Sequence, residues 1–329
     1  MQAIQVVGQG DEARLVLGEV PEPELGPEEV RIDVVATAVN RADLMQRRGL
    51  YPPPSGASSV LGLECAGVIS EVGERVRERT PGDRVAALLP GGGYAEQATV
   101  HAGSLISVPA DLSLTEAAGL PEVFLTCSLN LFQLAEVPEG GWALVHGGGS
   151  GIGTAAIQLL READVRSVVT AGSEEKCARC LELGADIALN YKEGEFAQKV
   201  LDASEGRGVD VVLDSIGAPY LGQHLACMAT GGRLVFIGLM GGARTEINLG
   251  LLLAKRLTLI GSTLRTRPVA EKAEIVRAFL SRFGDALAKG RLVPIVDRVL
   301  PLSQAQTAHD ILQASTHFGK VVLQVRDEP

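Results

Sequence analysis

Aromatic side chains are scarce in this sequence, which has one Trp, four Tyr and seven Phe among 329 residues. Positive charge is scarce as well, since 30 Lys and Arg stand against 40 Asp and Glu, which gives a formal net charge of -10 at pH 7. Nucleic-acid grooves are lined by basic and aromatic side chains, and anionic membranes attract basic ones. The composition therefore argues against nucleic-acid and membrane partners and favours a small soluble substrate.

The sequence also lacks a long apolar run. A membrane-spanning helix needs about 20 consecutive apolar residues, whereas the most apolar stretch, 249–260, is interrupted by Lys255 and Arg256. The N-terminal segment is strand-like, without the basic leader and apolar core of a targeting signal. We therefore expect a cytoplasmic protein.

Cysteine is infrequent and scattered, at positions 65, 127, 177, 180 and 227. An odd number of dispersed cysteines offers no disulfide framework and fits a reducing compartment. Cys177 and Cys180 form a C-x-x-C pair inside a predicted helix, 174–183. Because no second pair and no thioredoxin-like context accompany it, we interpret the pair as helix packing and not as a redox or metal site.

Glycine, in contrast, is concentrated in one segment between an apolar strand and a helix; residues 142–160 read WALVHGGGSGIGTAAIQLL. Glycines let the backbone bend sharply and approach a pyrophosphate, and the N-terminus of the following helix faces the phosphate charge. A literal G-x-G-x-x-G pattern fails, since Ser150 takes the middle position between Gly148 and Gly153. The segment predicts a dinucleotide-binding turn, although a glycine turn that only packs strand against helix would look the same in isolation.

Three stretches of the chain differ in pattern. Residues 1–122 contain strand-like segments and many prolines, without a parallel β-α-β pattern. In residues 123–262 apolar strands (143–146, 166–170, 209–214, 233–238 and 257–261) alternate with helices, which predicts a doubly wound parallel sheet. Residues 263–329 are predicted to contain helices 269–287 and 302–314 and a strand, 320–325, and to rejoin the first part. A dinucleotide at the carboxyl ends of the strands would then meet its substrate in a cleft between the domains.

The residues after the second predicted strand bear on the choice of coenzyme. In NAD-binding Rossmann domains this strand usually ends in an acidic residue that binds the ribose 2′-hydroxyl. Here Ser173 can donate to a 2′-phosphate and Lys176 can supply positive charge, which favours NADPH over NADH. Glu174 and Glu175 oppose this unless they point to solvent. The alternative is that Ser173 only caps a helix and Lys176 is only a solvated charge.

Several motifs together give the sequence a family resemblance: NRADLMQRRG at 40–49, YPPP at 51–54, LGLE at 61–64, LPGGG at 89–93, LNY at 189–191 and GLMGG at 238–242, besides the glycine turn. With them the chain resembles, end to end, the medium-chain dehydrogenase/reductase superfamily and its zinc-free quinone oxidoreductases. It is most similar to the branch of the p53-inducible quinone oxidoreductase, where a serine in the phosphate loop is usual. The resemblance implies an α/β protein with a GroES-like, mostly-β catalytic domain (1–122, completed by 263–329) and a doubly wound Rossmann NADP-binding domain (123–262).

The same resemblance implies a set of NADPH-binding residues. They are Gly149, Ser150, Gly151 and Ile152 at the pyrophosphate; Gly172, Ser173, Lys176 and Tyr191 at the adenosine 2′-phosphate; Thr126 and Asn40 near the nicotinamide; and Ser215, Gly238, Leu239, Phe318 and Lys320 along the rest of the groove. Relatives tend to be neutral or basic where this chain has Glu174 and Glu175. A homodimer or homotetramer is also implied, joined along the edge strand 257–260 with apolar cover from 251–253.

Metal ligands are absent where zinc-dependent members of the superfamily have them. Those members use a cysteine near position 40, a histidine in a Gly-His-Glu motif and, in most cases, a four-cysteine lobe. This sequence has Asn40 and Leu63 at the matching positions and no cysteine cluster within 85–125. Neither Cys65 nor the five histidines have zinc-site spacing. We therefore expect no metal, and we interpret Glu64 as a structural carboxylate bonded to backbone or to an arginine.

The lack of a Lewis acid constrains the chemistry. Reduction of a simple carbonyl builds charge on a strongly basic alkoxide, for which a metal or a dedicated proton donor is valuable. Hydride addition to a quinone or an α,β-unsaturated carbonyl instead leaves a less basic phenolate or enolate. The sequence therefore predicts NADPH-dependent reduction of quinones or related conjugated carbonyls. The alternatives are an enone or enoyl-thioester reductase, and an NADPH-binding sensor or scaffold with vestigial activity.

Three residues are candidates for a catalytic role. Asn40 could donate its amide to the acceptor oxygen or hold the nicotinamide carboxamide; otherwise it is a turn residue bonded to its own backbone. Tyr51 could stack on a quinone or donate a proton to an enone; otherwise it covers the proline run. Asp43 is expected to orient the Asn40 loop, with solvent pairing to Arg41 or Arg47 as the alternative. Cys127, next to Thr126, could be sensitive to electrophiles if it reaches the cleft; otherwise it is inert helix packing.

Overall fold

The computed structural model describes residues 1–328, which form two compact units. The first unit combines Met1–Leu125 with the segment that begins at Leu264, and the second is Thr126–Thr263. The division falls after residues 125 and 263, compared with 122 and 262 in the assignment from sequence. Among the helices of residues 1–328, none combines the length and the apolar character that a membrane span requires.

The strands are β1 (Gln2–Val7), β2 (Arg14–Glu19), β3 (Glu29–Ala38), β4 (Glu64–Val72), β5 (Arg84–Leu88), β6 (Gln97–His101), β7 (Leu105–Ser107), β8 (Trp142–His146), β9 (Arg166–Ala171), β10 (Ile187–Asn190), β11 (Val209–Asp214), β12 (Met228–Phe236), β13 (Thr258–Gly261), β14 (Val296–Pro301) and β15 (Lys320–Gln324). The helices are α1 (Arg41–Arg47), α2 (Leu114–Ala117), α3 (Pro121–Cys127), α4 (Gly151–Glu162), α5 (Glu174–Leu183), α6 (Ala197–Ala203), α7 (Leu221–Cys227), α8 (Leu249–Ala254), α9 (Val269–Ala288) and α10 (Ala305–Ala314).

The first unit is built on a mostly antiparallel sheet. Its strand order is β14-β15-β3-β4-β5-β7, with β6 also paired to β3, and β1 and β2 form a separate hairpin. Along β3 the apolar residues Val30, Ile32 and Val34 are fully buried and alternate with partly exposed residues, as expected for a strand with one face in the core. This unit is the GroES-like, mostly-β part that the resemblance implies. Because β15 pairs antiparallel with β3, Lys320 reaches the residues that follow β3.

The second unit is a parallel sheet of six strands in the order β10-β9-β8-β11-β12-β13. Numbered within the unit, this order is 3-2-1-4-5-6, the order of a doubly wound dinucleotide-binding fold. All five residues of β8 are buried, because helices cover both faces of such a sheet. The Rossmann-type α/β fold expected from the alternating pattern is therefore confirmed.

Some element bounds differ from those expected from sequence. Strand β10 was not in the expected set, because it is only four residues long and its apolar run, Ile187 to Leu189, is too short to mark a strand. Strand β12 begins at Met228 and ends at Phe236, earlier at both ends than expected, and its pairing with β11 contains a register shift. The helix expected over 302–314 begins at Ala305, after a 3-10 turn. Helix α5 matches its expected bounds.

Candidate active site

The glycines between β8 and α4 are required by the backbone geometry of the turn. Gly147 has a φ of 74°, in the left-handed region that favours glycine. A Cβ on Gly153 would lie 2.3 Å from the Gly147 carbonyl oxygen, and one on Gly148 would lie 2.9 Å from Cys180 Sγ. The Gly148 N–H donates to the carbonyl of Thr170 at 2.8 Å, which ties the turn to β9. Only a chain without side chains at these points can follow this path.

The turn presents N–H groups at the N-terminus of the 12-residue helix α4. Ser150 caps this helix, and its Oγ accepts a hydrogen bond from the Gly153 N–H at 3.0 Å. The N–H groups of Gly149, Gly151 and Ile152 donate to no acceptor within residues 1–328. Unpaired N–H groups and the positive end of the helix dipole form an anion site. This cradle, too tight for a Cβ, fits the pyrophosphate of a dinucleotide.

The residues proposed for the adenosine end lie after β9 and β10. Ser173 caps α5, and its Oγ accepts from the Lys176 N–H at 3.3 Å. The capping role considered as an alternative is therefore present, but the hydroxyl can still donate its own hydrogen. Tyr191 lies over Gly172, where a Cβ would come within 2.7 Å of the Tyr191 hydroxyl. Gly172, Ser173, Lys176 and Tyr191 are thus neighbours.

The two glutamates at the start of α5 are both exposed to solvent. The Glu174 carboxylate accepts a hydrogen bond from the Asn190 amide at 2.9 Å. This bond directs one negative charge toward the residue before Tyr191. Both side chains reach solvent, but the Glu174 carboxylate remains bonded to Asn190, beside the proposed 2′-phosphate residues.

The remaining predicted coenzyme residues of the second unit follow other strands of the same sheet. Ser215 comes directly after β11, and its carbonyl accepts from the Met240 N–H at 3.0 Å. Gly238 and the half-exposed Leu239 come shortly after β12. Because the carboxyl ends of parallel strands share one edge, these residues lie at the same edge as the glycine turn.

The end of α3 lies against the glycine turn through Cys127, whose Sγ donates to the carbonyl of Ile152 at 3.3 Å. Thr126 is buried, and its carbonyl accepts from the Asn130 amide. Burial raises the pKa of the Cys127 thiol far above its ordinary value. A buried neutral thiol is a packing group and not a nucleophile.

A buried imidazole pair lies beneath this edge of the sheet. His146 and His224 approach within 2.8 Å through their Nε2 atoms, and burial lowers the pKa of both rings, that of His224 to about 3. Among residues 1–328, these two and Asp214 are the one grouping of three potential metal ligands. The Asp214 carboxylate already accepts from the N–H groups of Ile216 and Gly217. The imidazoles are neutral and paired with each other.

In the first unit, a buried ion pair lies next to Asn40. Lys320 Nζ is 2.8 Å from Glu64 Oε1, and the side chains are 3% and 0% exposed. The ammonium also donates to Asn40 Oδ1 at 2.7 Å and to the Val39 carbonyl at 3.2 Å, so its three hydrogens are all engaged. Glu64 is structural as expected, but its charged partner is a lysine and not an arginine. Any contact of the Lys320 ammonium with a coenzyme requires one of these bonds to be exchanged.

The Asn40 amide is fully used as a donor. Its Nδ2 donates to Glu64 Oε1 at 2.8 Å and to the Ala38 carbonyl at 3.3 Å. Only the carbonyl oxygen of the amide, which accepts from Lys320, keeps a lone pair. In this arrangement Asn40 can accept a hydrogen bond from a bound molecule but has no hydrogen left to donate.

Asp43 is completely buried, which overturns the alternative of a solvent ion pair with Arg41 or Arg47. Its carboxylate accepts from the Asn40 N–H at 2.8 Å, the Gly62 N–H at 3.2 Å and the Tyr94 hydroxyl at 3.2 Å. Burial raises the pKa of Asp43 to about 6, although these donors oppose the shift. Asp43 therefore fixes the start of α1 below Asn40 and touches no solvent-accessible surface.

Tyr51 lies in a second polar cluster, with Arg265. The guanidinium carbon is 5.3 Å from the centre of the Tyr51 ring, and Nη1 donates to the Tyr51 carbonyl at 3.3 Å. Burial raises the pKa of Tyr51, and the nearby Glu122 carboxylate raises it further. The Glu122 N–H donates to Glu64 Oε2 at 2.8 Å and so connects this cluster to the ion pair. Phe318, proposed for the groove, is buried, and its N–H donates to Asp297.

Comparisons with known proteins agree with this fold. The model of the alcohol dehydrogenase GroES-like domain matches residues 26–110, and that of zinc-binding dehydrogenase matches 151–281. Quinone oxidoreductase of Rattus norvegicus is 31% identical over 98% of this chain and 97% of its own length. The chain belongs to the medium-chain dehydrogenase/reductase superfamily. It is an oxidoreductase, as the resemblance implies.

Other members of the superfamily are similarly close. A 2-haloacrylate reductase of Burkholderia sp is 32% identical, with 96% of each chain covered. The structure of Escherichia coli quinone oxidoreductase complexed with NADPH is 27% identical, with a TM-score of 0.86 over 99% of this chain and 100% of that one. A mycocerosic acid synthase-like polyketide synthase of Mycobacterium tuberculosis is 31% identical, but the chain spans only 15% of it.

The description of one matching model names zinc, and the residues around Asn40 do not fit this ion. Zinc sites use thiolate, imidazole and carboxylate ligands, usually three or more from the protein. Here the neighbouring groups are an amide, one carboxylate and an ammonium, and Lys320 already supplies positive charge to Glu64 at 2.8 Å. These groups therefore do not form a zinc site.

Three charged residues of this region were not singled out from the sequence: Glu122, Arg265 and Lys272. Each is at least partly buried. The signal that marks Glu122 is a charge within an otherwise apolar helical stretch, between Leu120 and Leu125. Arg265, in a loop, and Lys272, among other charged residues, lack this signal. That signal is common on helix surfaces, so it identifies a site only once tertiary contacts are known.

Proposed function

We propose that this oxidoreductase is an NADPH-dependent, metal-independent reductase that transfers hydride to quinones or related conjugated carbonyls. The observation that carries the proposal is the buried Glu64–Lys320 pair beside Asn40, in a protein that also has the glycine cradle of a dinucleotide site. The named activities of the rat and Escherichia coli relatives support the substrate class. Catalysis then depends on residues that bind and orient and not on a Lewis acid.

The chain's own residues account for coenzyme binding. Gly149, Gly151 and Ile152 would donate backbone N–H groups to the pyrophosphate, with Ser150 fixing the turn. Ser173, Lys176 and Tyr191 would bind the 2′-phosphate, beside Gly172. Thr126, Ser215, Gly238, Leu239 and Phe318 remain proposed groove residues. Bound NADPH supplies the hydride from its reduced nicotinamide.

Asn40 and Asp43 act as positioning residues in this proposal. Asp43 holds the Asn40 backbone, and Glu64 with Lys320 holds the Asn40 amide in one orientation. The remaining lone pair of the amide oxygen can accept from an N–H group such as that of a carboxamide. A phenolate or enolate product is weakly basic, so solvent and single hydrogen bonds suffice to stabilise it.

An enone or enoyl-thioester reductase is the second candidate, and Tyr51 is the observation that favours it. Its phenol is half-buried beside Arg265, and burial raises its pKa, so it is fully protonated near neutral pH and able to donate. The 2-haloacrylate reductase of Burkholderia is named for such a conjugated substrate.

NADPH oxidation with a panel of quinones, enones and simple aldehydes, before and after treatment with a chelator, tests the proposal. We expect turnover of conjugated acceptors that is insensitive to chelation, and little turnover of aldehydes. Loss of activity on chelation would contradict the metal-independent mechanism. Tight NADPH binding with no turnover of any acceptor would instead indicate a sensor or scaffold.

Tyr51→Phe separates the two enzymatic candidates. Loss confined to enones indicates proton donation by the phenol, since a quinone product needs no carbon protonation. Equal loss with both acceptor classes indicates that Tyr51 binds the acceptor.

We also propose a homodimer formed along β13, which is an edge strand of the parallel sheet. Leu249 and Leu253, on α8 just before this strand, are 64% and 80% exposed. An unpaired strand edge beside exposed apolar side chains favours self-association. Sedimentation that returns a species of 34.5 kDa, the mass of one chain, would contradict it.

A further inference from the structure

Arg265 is a buried cation whose contacts are all neutral. It is 3% exposed, and it donates to the Pro90 carbonyl at 2.8 Å, the Tyr51 carbonyl at 3.3 Å and Gln46 Oε1 at 2.7 Å. These bonds use three of the five N–H donors of a guanidinium. Its positive charge has no carboxylate within hydrogen-bond distance, and two donors stay available.

Lys272 is a second buried cation, on α9. It is only 6% exposed, yet its ammonium makes no hydrogen bond or ion pair with any of residues 1–328. The Lys272 Nζ atom itself keeps contact with solvent, although the rest of the side chain is buried. Burial lowers the pKa of Lys272, the Glu122 carboxylate opposes this shift, and Arg265 adds to it, so Lys272 lies within electrostatic range of both groups.

Glu122, the nearby carboxyl group, is not directly bonded to either cation. Its side chain makes no hydrogen bond or ion pair with another described residue, although it lies within electrostatic range of both cations. Burial and the neighbouring Glu64 carboxylate raise the pKa of Glu122 to about 8, so it is mostly uncharged at neutral pH. Buried cations are normally paired, and here two of them share one region of the first unit without a carboxylate hydrogen-bonded to either.

We propose that Arg265 and Lys272 form a subsite for an anionic group, a carboxylate or a similar oxyanion, on the conjugated acceptor. The inference rests on the proposed function and narrows its substrate class to acceptors that carry such a group beside the conjugated carbonyl. Arg265 would offer its two remaining N–H donors and Lys272 its ammonium, which gives the charge-assisted bonds that carboxylates prefer. Tyr51, fixed by Arg265, borders the same subsite.

The first test compares benzoylacrylate with its neutral methyl ester as acceptors. In Lys272→Met we expect the ratio of kcat/KM for the acid to that for the ester to fall by at least about tenfold, since a hydrogen bond to a charged group is lost. Lys272→Arg should keep most of the ratio. Lys289→Gln, which removes an exposed lysine that follows the same helix, is the matched control. An unchanged ratio in Lys272→Met would overturn the subsite.

The second test measures binding without turnover, by calorimetry with benzoate and with benzamide. We expect benzoate to bind the unmodified protein and to bind Lys272→Met at least about tenfold more weakly, with benzamide insensitive to the change. Absence of benzoate binding, or binding independent of Lys272, would overturn the subsite. If no acceptor of any charge is reduced, the proposed function fails, and this measurement still decides the subsite.

Thermal unfolding distinguishes a ligand role from a structural one. Methionine has nearly the length of lysine and leaves no buried charge, so Lys272→Met should keep or raise Tm. Benzoate should raise the Tm of the unmodified protein but not that of the variant. A clear fall in Tm for Lys272→Met would show that the ammonium has a partner within the fold, which contradicts the proposal.

Discussion

The glycine cradle and the Glu64–Lys320 cluster are both rigid polar sites, but different interactions keep them rigid. The cradle consists of backbone: Gly148 and Gly153 have no room for a side chain, and backbone N–H groups face outward. The cluster consists of side chains from β4, β15 and the loop before α1, which are far apart in sequence. The first is fixed by local sterics, and the second by charges that must remain paired.

This difference determines how each site fails. A buried ion pair costs desolvation free energy that only its complete set of partners offsets. A glycine turn has no such requirement, but it cannot accept a single added methyl group without moving backbone. Substitutions in the cluster should therefore affect stability first, and substitutions in the cradle should affect coenzyme binding first.

The largest effect is expected for Lys320→Met. This change leaves the Glu64 carboxylate buried without a cation, and breaking such a pair typically costs about 3–5 kcal/mol of unfolding free energy. Denaturant unfolding measures it, with Lys289→Met, at an exposed pair with Asp285, as the control that should change by under about 1 kcal/mol. If both variants lose equally little unfolding free energy, the Glu64–Lys320 cluster is not a rigid element of the fold.

Gly153→Ala should act on the coenzyme. Its Cβ would overlap the Gly147 carbonyl at 2.3 Å and Gly148 Cα at 2.4 Å, so the turn must open. We expect NADPH affinity to fall by about a hundredfold or more, equivalent to about 2.7 kcal/mol. Calorimetric titration measures this affinity. Gly222→Ala, where nothing lies within 4 Å of the added Cβ, is the control, and equal losses in both would contradict the steric argument.

Glu122→Gln should change how stability depends on pH. The folded protein raises the pKa of Glu122 from 4.5 to about 8, so the protonated form favours folding. The contribution of Glu122 to the free energy of unfolding is therefore full below pH 4.5 and is lost as the pH rises toward 8. Between pH 4.5 and pH 8, the free energy of unfolding of the unmodified protein should fall by on the order of 2 kcal/mol relative to that of the Gln variant, after allowance for the partial exposure of Glu122. Denaturant unfolding across this pH range tests the prediction, with Glu139→Gln, at an exposed residue, as the control. If the free energies of unfolding of the unmodified protein and of Glu122→Gln change with pH in the same way, the prediction is contradicted.

The two regions also differ in what the sequence could predict. Gly147 to Gly153 are contiguous, so their turn and helix could be placed from local rules. Lys320 and Glu64 meet only because β15 pairs with β3 and β3 with β4, and no local pattern encodes that register. For this reason Glu64 was predicted as a structural carboxylate bonded to backbone or to an arginine; the backbone bond is present, from the Glu122 N–H, but the charged partner is Lys320. Arg265 and Lys272 were missed because a single charge on a helix or in a loop usually faces solvent.

The smallest effect concerns coenzyme choice. Lys176→Met removes positive charge beside Ser173 and Tyr191, and we expect the preference for NADPH over NADH to fall by roughly tenfold, through weaker NADPH binding alone. Lys199→Met, a lysine on another helix of the same unit, is the control. The ratio of kcat/KM for the two coenzymes measures the preference. An unchanged ratio would show that backbone and hydroxyl groups determine the coenzyme preference. The adenosine end of the Rossmann unit would then resemble the glycine cradle, a site formed by backbone and not by charged side chains.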